Sequence, residues 1–405
     1  MRCLSIFVVL VSAFAGVFVY KVYLPLSPKI VPEDSLVLPI VFTTFNLISS
    51  LGEQLGISPR YKTQRYLTEF PESLGFSLDN ADEVETIEDT AIAGVPVRIY
   101  RPRNSLGQRQ ERPGLIYFHG GGLVILKAAS MLYSKICSRF ANVTQAVVIS
   151  VEYRRSPEHP FPAQFEDCHA VVTKVLEDSS KFGIISGKVA IAGDSAGGLL
   201  AAAVSVELAK EKREKTIAAQ LLINPWLQGI DVTCLPSYQE HSKGFLLRKV
   251  DIVYYFSLAA TGKPDLEQEY FSGNISRYFM NTKYWKFLEI PENSQCKNLL
   301  EQTIAKLPTQ FLETVVDSRF SPLLAESLER LPPTFVAIAE FDVLASEGIL
   351  FARRLEKAGV SVVKKIYKSY HGFLANICLP STTTPMAMEA MQDMTNFLNS
   401  VFYKN

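Results

Sequence analysis

From about residue 115 onward, short apolar runs alternate with longer stretches that carry apolar residues at helical spacing. Six runs have the length of strands: residues 115–118, 146–153, 188–192, 220–223, 334–339 and the partly charged 361–367. Segments such as 199–211 and 347–357 lie between them and have a helical pattern. This alternation predicts an α/β fold with a mostly parallel central sheet and helices on both faces. The partly charged last run is expected nearer an edge of the sheet.

Residues 225–320 interrupt the alternation and are rich in aromatic side chains. We interpret them as a helical cap subdomain inserted over the carboxyl edge of the sheet, where open α/β sheets bind ligands. The catalytic domain is then expected to comprise residues 91–224 and 321–405, and residues 22–90 a membrane-proximal segment and N-terminal cap. The cap aromatics either line a substrate pocket or are ordinary core.

The N-terminus carries an uncharged run of 18 residues, 3–20. As a helix it would span roughly 27 Å, close to the hydrocarbon thickness of the endoplasmic reticulum membrane. Residues 1–21 are therefore predicted to form a transmembrane signal anchor; a cleaved signal peptide or a buried helix are the alternatives. A second apolar stretch, 36–51, contains Pro39 and Asn46. It is interpreted as a membrane-surface or substrate-entry segment, or else as a buried helix.

Composition narrows the function classes. Lys and Arg total 41 and Asp and Glu total 41, so the formal charge is zero and a nucleic-acid partner is not expected. The six cysteines form no C-x-x-C pair, so neither a zinc site nor any other metal site is expected. Two sequons, at Asn142 and Asn274, suggest a lumenal, glycosylated body.

Residues 193–197 read Gly-Asp-Ser-Ala-Gly, a G-x-S-x-G motif between a predicted strand and a predicted helix. In that setting the motif forms a sharp turn that exposes a serine hydroxyl at the edge of the sheet. Gly193 and Gly197 would let the strand and the helix pack close to the turn. Ser195 is therefore the predicted nucleophile.

Residues 119–122 read His-Gly-Gly-Gly and directly follow the first predicted strand. Acyl transfer generates a negatively charged oxygen, which preorganised backbone amides stabilise by several kcal/mol. The expected donors are the amides of Gly121, Gly122 and Ala196. His119 and Gly120 are expected to support the loop, and a plain flexible loop is the alternative.

A nucleophilic serine needs a histidine base and an acid that orients the histidine. In α/β folds with a G-x-S-x-G turn, these residues follow the serine in the order Asp or Glu, then His. His371 lies just after the last predicted strand, whereas His241 lies in the cap segment. Asp342 follows the strand predicted at 334–339, at the ligand-binding edge. We therefore predict Asp342 and His371 as the partners of Ser195. Asp194 is the rival acid, but its side chain should point away from the site.

A charged cluster follows the second of these strands. Its members are Glu152, Arg154, Arg155 and Glu158, followed by Glu166 and Asp167. They either support the oxyanion loop or form a surface ion-pair network. His159 and His169 are expected to be structural.

These motifs resemble the hormone-sensitive lipase family of α/β-hydrolases and, with the N-terminal run, its arylacetamide deacetylase-like group. The resemblance covers roughly residues 90–400 and is carried by residues 119–122, 152–163, 193–198, 342–348 and 370–373. It implies an α/β-hydrolase fold in a single-pass endoplasmic reticulum protein with a lumenal serine esterase domain. It also implies hydrolysis of esters or amides of lipophilic compounds through Ser195, Asp342 and His371. No metal or organic cofactor is implied.

The chain departs from many relatives beside the oxyanion loop. Leu123 and Leu126 stand where an aromatic residue and a glycine are usual, and Arg155 and Ser156 replace Leu and Ala. Cysteines that pair in some relatives are also replaced. We therefore expect short acyl groups to be preferred. The alternatives to an esterase are a non-catalytic ligand-binding homologue, whose triad would be degenerate, and a peptidase of the same fold.

Overall fold

The structure is a computed structural model that describes residues 37–73, 84–103, 111–211, 216–244, 246–290, 296, 307–378 and 383–404. The predicted anchor, residues 1–21, lies outside these ranges. Within them, no helix combines the length and the apolar character that crossing a membrane requires.

One eight-stranded sheet forms the centre of the body, in the order β1-β2-β4-β3-β5-β6-β7-β8. Strand β2 is antiparallel to β1 and β4, and all other neighbours are parallel. The strands are β1 (Val84–Ile92), β2 (Val95–Pro102), β3 (Arg112–Phe118), β4 (Val147–Val151), β5 (Ile184–Asp194), β6 (Ala219–Ile223), β7 (Thr334–Phe341) and β8 (Val362–Tyr370).

Twelve α-helices are found in the described chain. They are α1 (Val37–Gln54), α2 (Arg60–Ser73), α3 (Met131–Thr144), α4 (Ala163–Glu177), α5 (Ala196–Glu211), α6 (Pro236–Glu240), α7 (Lys249–Thr261), α8 (Glu267–Phe271), α9 (Asn274–Phe279), α10 (Thr309–Val316), α11 (Ala345–Lys357) and α12 (Pro385–Phe402). Helices α3 and α12 pack together on one face of the sheet, and α4, α5 and α11 cover the other. This is the arrangement that right-handed strand–helix–strand crossovers produce.

The predicted fold class is confirmed, and the six predicted strands correspond to β3–β8. Strands β4 and β6 are buried throughout because helices cover both faces of the sheet. The charged run at 361–367 becomes β8, which is an edge strand as expected.

Strands β1 and β2 were not predicted. Because β1 starts at Val84, the sheet begins inside the segment 22–90, which was expected to precede the catalytic domain. The seven residues between Val84 and Ile92 are all exposed. An edge strand of this kind gains most from backbone pairing, and its sequence therefore lacks the apolar pattern that marks a strand.

Between β6 and β7, the described residues form helices and turns and contribute α6–α10. A disulfide joins Cys234, before α6, to Cys296, at a sequence separation of 62. The N-terminal helices α1 and α2 pack against each other and contact the same region through α7. Helical segments from two distant parts of the chain thus lie over the carboxyl edge of the sheet.

Candidate active site

Ser195 lies on the turn between β5 and α5, with a left-handed backbone φ of 54°. Its amide donates to the carbonyl of Ile223 at 2.8 Å, and its own carbonyl accepts from Trp226 at 3.1 Å. A side chain on Gly197 would bring its Cβ within 2.0 Å of the carbonyl oxygen of Phe118. The turn is therefore fixed by neighbouring strands, and glycine is required where α5 approaches β3.

A continuous hydrogen-bond chain joins the three predicted catalytic residues. The Nε2 atom of His371 lies 3.0 Å from Oγ of Ser195, and its Nδ1 lies 2.7 Å from Oδ2 of Asp342. The other oxygen of Asp342 accepts from the amide of Leu344 at 3.0 Å. Since Asp342 fixes Nδ1 as the protonated nitrogen, Nε2 faces Ser195 as an acceptor.

Three other histidines, His159, His169 and His241, do not line the pocket of Ser195. His169 pairs with Glu211 at 3.0 Å near the surface, and His159 is exposed. His241 packs edge-on against Phe341. Two histidines follow Ser195 in the sequence, and His371, not His241, lies next to the nucleophile.

The oxyanion loop follows β3 and lies beside the nucleophile. Gly121 and Gly122 line the same pocket as Ser195 and His371 and have left-handed φ values of 106° and 63°. A Cβ on Gly121 would lie 2.2 Å from the carbonyl oxygen of Ile125, so only glycine fits there. The amide of Ala196 begins α5 and has no acceptor within the helix. Gly121 and Gly122 thus line the pocket and Ala196 follows the nucleophile, while their role as oxyanion donors stays a prediction.

Two tyrosines that the sequence analysis missed connect this loop to the nucleophile turn. The hydroxyl of Tyr133 accepts from the amide of Gly120 at 2.7 Å and donates to Oδ2 of Asp194 at 2.9 Å. Tyr117 donates to the other oxygen of Asp194, also at 2.9 Å. Burial raises the pKa of Asp194, and the two hydroxyls partly offset that effect. Asp194 is therefore a structural anchor and does not contact His371 in place of Asp342.

His119 supports the loop from beneath. Its Nδ1 donates to the carbonyl of Gly120 at 2.8 Å, and its ring stacks on Tyr153 with 4.1 Å between ring centres. The Tyr153 hydroxyl donates to the backbone carbonyl of His119 at 2.6 Å. Burial lowers the pKa of His119 to about 3, so the ring is neutral at neutral pH.

Some members of the charged cluster after β4 support the oxyanion loop, and others form a surface ion-pair network. Arg155 donates to the carbonyl of Leu126 at 2.9 Å and pairs with Glu69 of α2 at 3.0 Å. Glu152 accepts from the amide of Ala128 at 2.7 Å. These contacts brace the segment that follows the oxyanion glycines. Arg154, in contrast, pairs with Glu166 and Asp167 near the surface.

Helix α2 makes a second contact with this segment through Arg65. Its guanidinium donates to the carbonyls of Val124 at 2.7 Å and Ser156 at 2.6 Å, and pairs with Glu158 at 2.8 Å. At the start of α2, Arg60 forms a buried ion pair with Asp251 of α7. The N-terminal helices are thus fastened both to the oxyanion loop and to the inserted helices.

The pocket in front of Ser195 is predominantly apolar. Its walls come from α1, the oxyanion loop, α3, the nucleophile turn, the inserted segment and the loop after β8. The apolar lining residues are Phe42, Ile125, Leu126, Leu132, Ile136, Ile223, Trp226, Leu246, Leu247, Ile252, Tyr255, Leu374 and Ala375. Such a surface suits a neutral acyl group, because an anionic substrate would need a paired cation.

Glu347, in the first turn of α11, is a further supporting residue. Its buried carboxylate accepts from the Leu227 amide at 2.5 Å, the Gln228 amide group at 2.9 Å and the Tyr238 hydroxyl at 2.7 Å. Burial raises its pKa to about 8. It therefore ties the helix that follows Asp342 to the loop after β6. A charged residue on the apolar face of a helix is the sequence signal that points to such a role.

The two sequons differ in accessibility. Asn142, on α3, is half-buried, whereas Asn274 is 2% exposed and donates through its amide nitrogen to Glu269 at 2.6 Å. A glycan on Asn274 does not fit this packing, so the structure argues against the expectation for that site. Among the described residues, no cluster of three or more His, Cys, Asp or Glu side chains could hold a metal ion.

An eight-stranded α/β sheet with a serine on the strand-to-helix turn, hydrogen-bonded to a histidine–aspartate pair, defines a serine hydrolase of the α/β-hydrolase class. A family model described as "alpha/beta hydrolase fold" matches residues 115–284 and 285–375. Arylacetamide deacetylase of Mus musculus is 33% identical over 87% of this chain and 90% of its own. The chain therefore belongs to the α/β-hydrolase family, and the resemblance to its hormone-sensitive lipase type is confirmed.

Two further similarities agree with this assignment. Neutral cholesterol ester hydrolase 1 of Bos taurus is 29% identical over 93% of this chain and 94% of its own. Among solved structures, the esterase of Pyrobaculum calidifontis is 28% identical, with a TM-score of 0.61 over 84% of this chain and 92% of that one.

Proposed function

We propose that this protein is a membrane-anchored serine esterase that hydrolyses carboxylic esters of neutral, lipophilic compounds through an acyl-enzyme on Ser195. The observation that carries the proposal is the unbroken hydrogen-bond chain from Ser195 through His371 to Asp342, opening into an apolar pocket. The names of the relatives, a deacetylase and an ester hydrolase, point to the same chemistry.

The geometry supports a two-step reaction. His371 accepts the Ser195 proton through Nε2 as Oγ attacks the ester carbonyl, and Asp342 stabilises the imidazolium that forms. The amides of Gly121, Gly122 and Ala196 stabilise the charged tetrahedral oxygen. His371 then protonates the leaving alcohol. Water attacks the acyl-enzyme in the second step, with His371 again as the base, and releases the acid and Ser195.

Fluorophosphonate labelling of the full-length protein tests the nucleophile. Wild type should label covalently, and Ser195→Ala should lose labelling while keeping its thermal unfolding temperature, because the change removes one hydroxyl. Ser205→Ala is the control and should label like wild type, since Ser205 is buried further along α5 and does not line the pocket. Labelling of Ser195→Ala at the wild-type rate contradicts the assignment, and a wild type that does not label favours a ligand-binding homologue.

A preference for short acyl groups, acetyl to butyryl, is part of the proposal. Leu126 lines the pocket and has a left-handed φ of 65°, a conformation that glycine adopts without strain. Leu126→Gly should therefore enlarge the pocket, and kcat/KM should shift toward longer acyl groups in a series from acetyl to palmitoyl esters. A wild-type series that rises steadily toward palmitoyl contradicts the preference.

We also propose that the body lies in the lumen of the endoplasmic reticulum, anchored by residues 1–21. The disulfide between Cys234 and Cys296 supports this, because disulfides persist in oxidising compartments. The partly accessible sequon at Asn142 is compatible with it. Protease protection in sealed microsomes is the test, and digestion of the body without detergent would reverse the orientation.

A further inference from the structure

Between residues 44 and 51, helix α1 has its polarity inverted relative to an ordinary surface helix. The side chains of Thr44 and Ser49 are buried against the protein, whereas Leu47 and Leu51 are 49% and 52% exposed. Leu55, one turn further along, is 65% exposed. Residues four apart lie on the same side of a helix, so the three leucines form one exposed apolar stripe. A helix facing water would normally show the opposite pattern.

The exposed apolar surface is concentrated in this part of the chain. The turn after α1 adds Ile57, which is 75% exposed, and α2 adds Tyr66, which is 57% exposed. Lys62, one turn before Tyr66, is also exposed. Leucine and isoleucine with flanking tyrosine and lysine are the composition of surfaces that rest at a membrane interface.

Two observations identify a lipid bilayer as the partner of this surface. Sixteen residues, 21–36, separate the apolar run 3–20 from the first residue of α1. Such a segment spans at most about 58 Å when fully extended, so an anchored run 3–20 holds the start of α1 within that distance of the bilayer. In addition, Phe42 of the same helix lines the pocket of Ser195, so a membrane in contact with α1 lies next to the pocket.

We propose that the stripe of Leu47, Leu51 and Leu55 docks on the bilayer surface and presents the pocket to esters dissolved in the membrane. The substrate half of this inference rests on the proposed esterase activity, and the docking half rests on the proposed anchor at residues 1–21. Because Arg65 and Glu69 join α2 to the oxyanion loop, the docked helices also hold the catalytic loop in place.

Fluorescence quenching in vesicles tests the docking. Full-length Leu51→Trp is reconstituted in phosphatidylcholine vesicles with or without bromine on the acyl chains. The matched control is Ile366→Trp, because Ile366 is 51% exposed on the edge strand β8. Brominated lipid should quench the added emission of Leu51→Trp by at least about half, and that of Ile366→Trp by much less. Unquenched Leu51→Trp emission overturns the proposal, and a blue shift without quenching shows that protein, either upstream chain or a second copy, covers the stripe.

Hydrolysis in the same vesicles tests the substrate route. The triple variant Leu47→Ser, Leu51→Ser and Leu55→Ser should lose at least about fivefold in kcat/KM for a vesicle-dissolved acetate ester of a long-chain alcohol. Water-soluble p-nitrophenyl butyrate should be cleaved within about twofold of wild type, as should both esters by Ile366→Ser. If the triple variant loses kcat/KM equally on both esters, or on neither, entry of the substrate from the membrane is refuted. A wild type that cleaves neither ester defeats the proposed function, and quenching alone then decides the docking.

Discussion

Replacement of Tyr133 by phenylalanine should lower the rate of catalysis without touching the catalytic residues. The change removes the hydroxyl that bridges the amide of Gly120 and Oδ2 of Asp194, at 2.7 and 2.9 Å. Gly120 is buried and Asp194 is half-buried, and a buried group that loses its partner costs about 1–3 kcal/mol of stability. Two such losses should lower the free energy of unfolding by roughly 2–4 kcal/mol.

The effect on the rate follows from the position of Gly120, which directly precedes the oxyanion amides. Loss of a whole oxyanion donor costs about 10²–10³ in kcat, so a displaced loop should cost about tenfold or more. Tyr117→Phe is the matched control, because Tyr117 donates to the same carboxylate at the same 2.9 Å but does not contact the loop. It should destabilise the protein by about 1–3 kcal/mol and lower kcat by less than about threefold.

The assay is initial-rate hydrolysis of p-nitrophenyl butyrate by the full-length variants in detergent, with thermal unfolding as the measure of stability. An interaction made in the transition state lowers kcat and kcat/KM equally, so KM should change little in Tyr133→Phe. Equal kcat values in the two variants, with similar losses of stability, would refute the assignment of Tyr133 as the residue that positions the loop.

Three further predictions concern the body of the protein. Burial lowers the pKa of His119 to about 3, below the ordinary value of about 6.5. As the pH falls, the imidazole is therefore protonated in the unfolded chain before it is protonated in the folded protein. The folded protein loses stability between about pH 6.5 and pH 3 for this reason. From pH 7 to pH 5 the free energy of unfolding measured with urea should therefore fall about 2 kcal/mol less in His119→Gln than in wild type; an equal fall contradicts this. Replacing Cys234 and Cys296 by serine removes a link at a sequence separation of 62 and should cost roughly 4 kcal/mol, seen as a lower unfolding temperature that reductant no longer changes. Asn142→Gln should abolish the endoglycosidase H mobility shift and Asn274→Gln should not; the reverse result would contradict the burial of Asn274.

The sequence predicts the parts of this molecule whose physical requirement is local. Ser195 could be placed because glycine, strand and helix must surround it within a few residues, and Asp342 and His371 because they follow strands of a parallel sheet. Strand β1 escapes prediction because an exposed edge strand needs no apolar pattern. Strand β2 lies inside the sheet and does carry an alternating pattern, with Val95, Val97 and Ile99 buried, which the sequence analysis missed. Tyr133 escapes for another reason: its partner Asp194 is 61 residues away, and a tyrosine on a helix reads as core until the packing is known.

The cap presents a similar limit. The aromatic content of residues 225–320 indicates a cap, but not which of its residues reach the nucleophile. Tyr255 and Trp226 line the pocket, whereas Tyr270 is buried behind it and donates to the carbonyl of Gly229 at 2.8 Å. A pocket wall and a core have the same composition, and only the three-dimensional arrangement separates them.

The pocket wall also has a consequence for synthesis. Phe42 and Ala375 both line the pocket, although they are 333 positions apart in the chain. A ribosome adds about 5–20 residues per second, so about 15 to 70 seconds pass between the two. Helix α1 can therefore pack on α2 early in this interval, but it lacks the loop after β8 that completes the pocket. Because the pocket needs residues from both ends of the polypeptide, we expect catalytic activity to appear only after both ends have been synthesised and packed together.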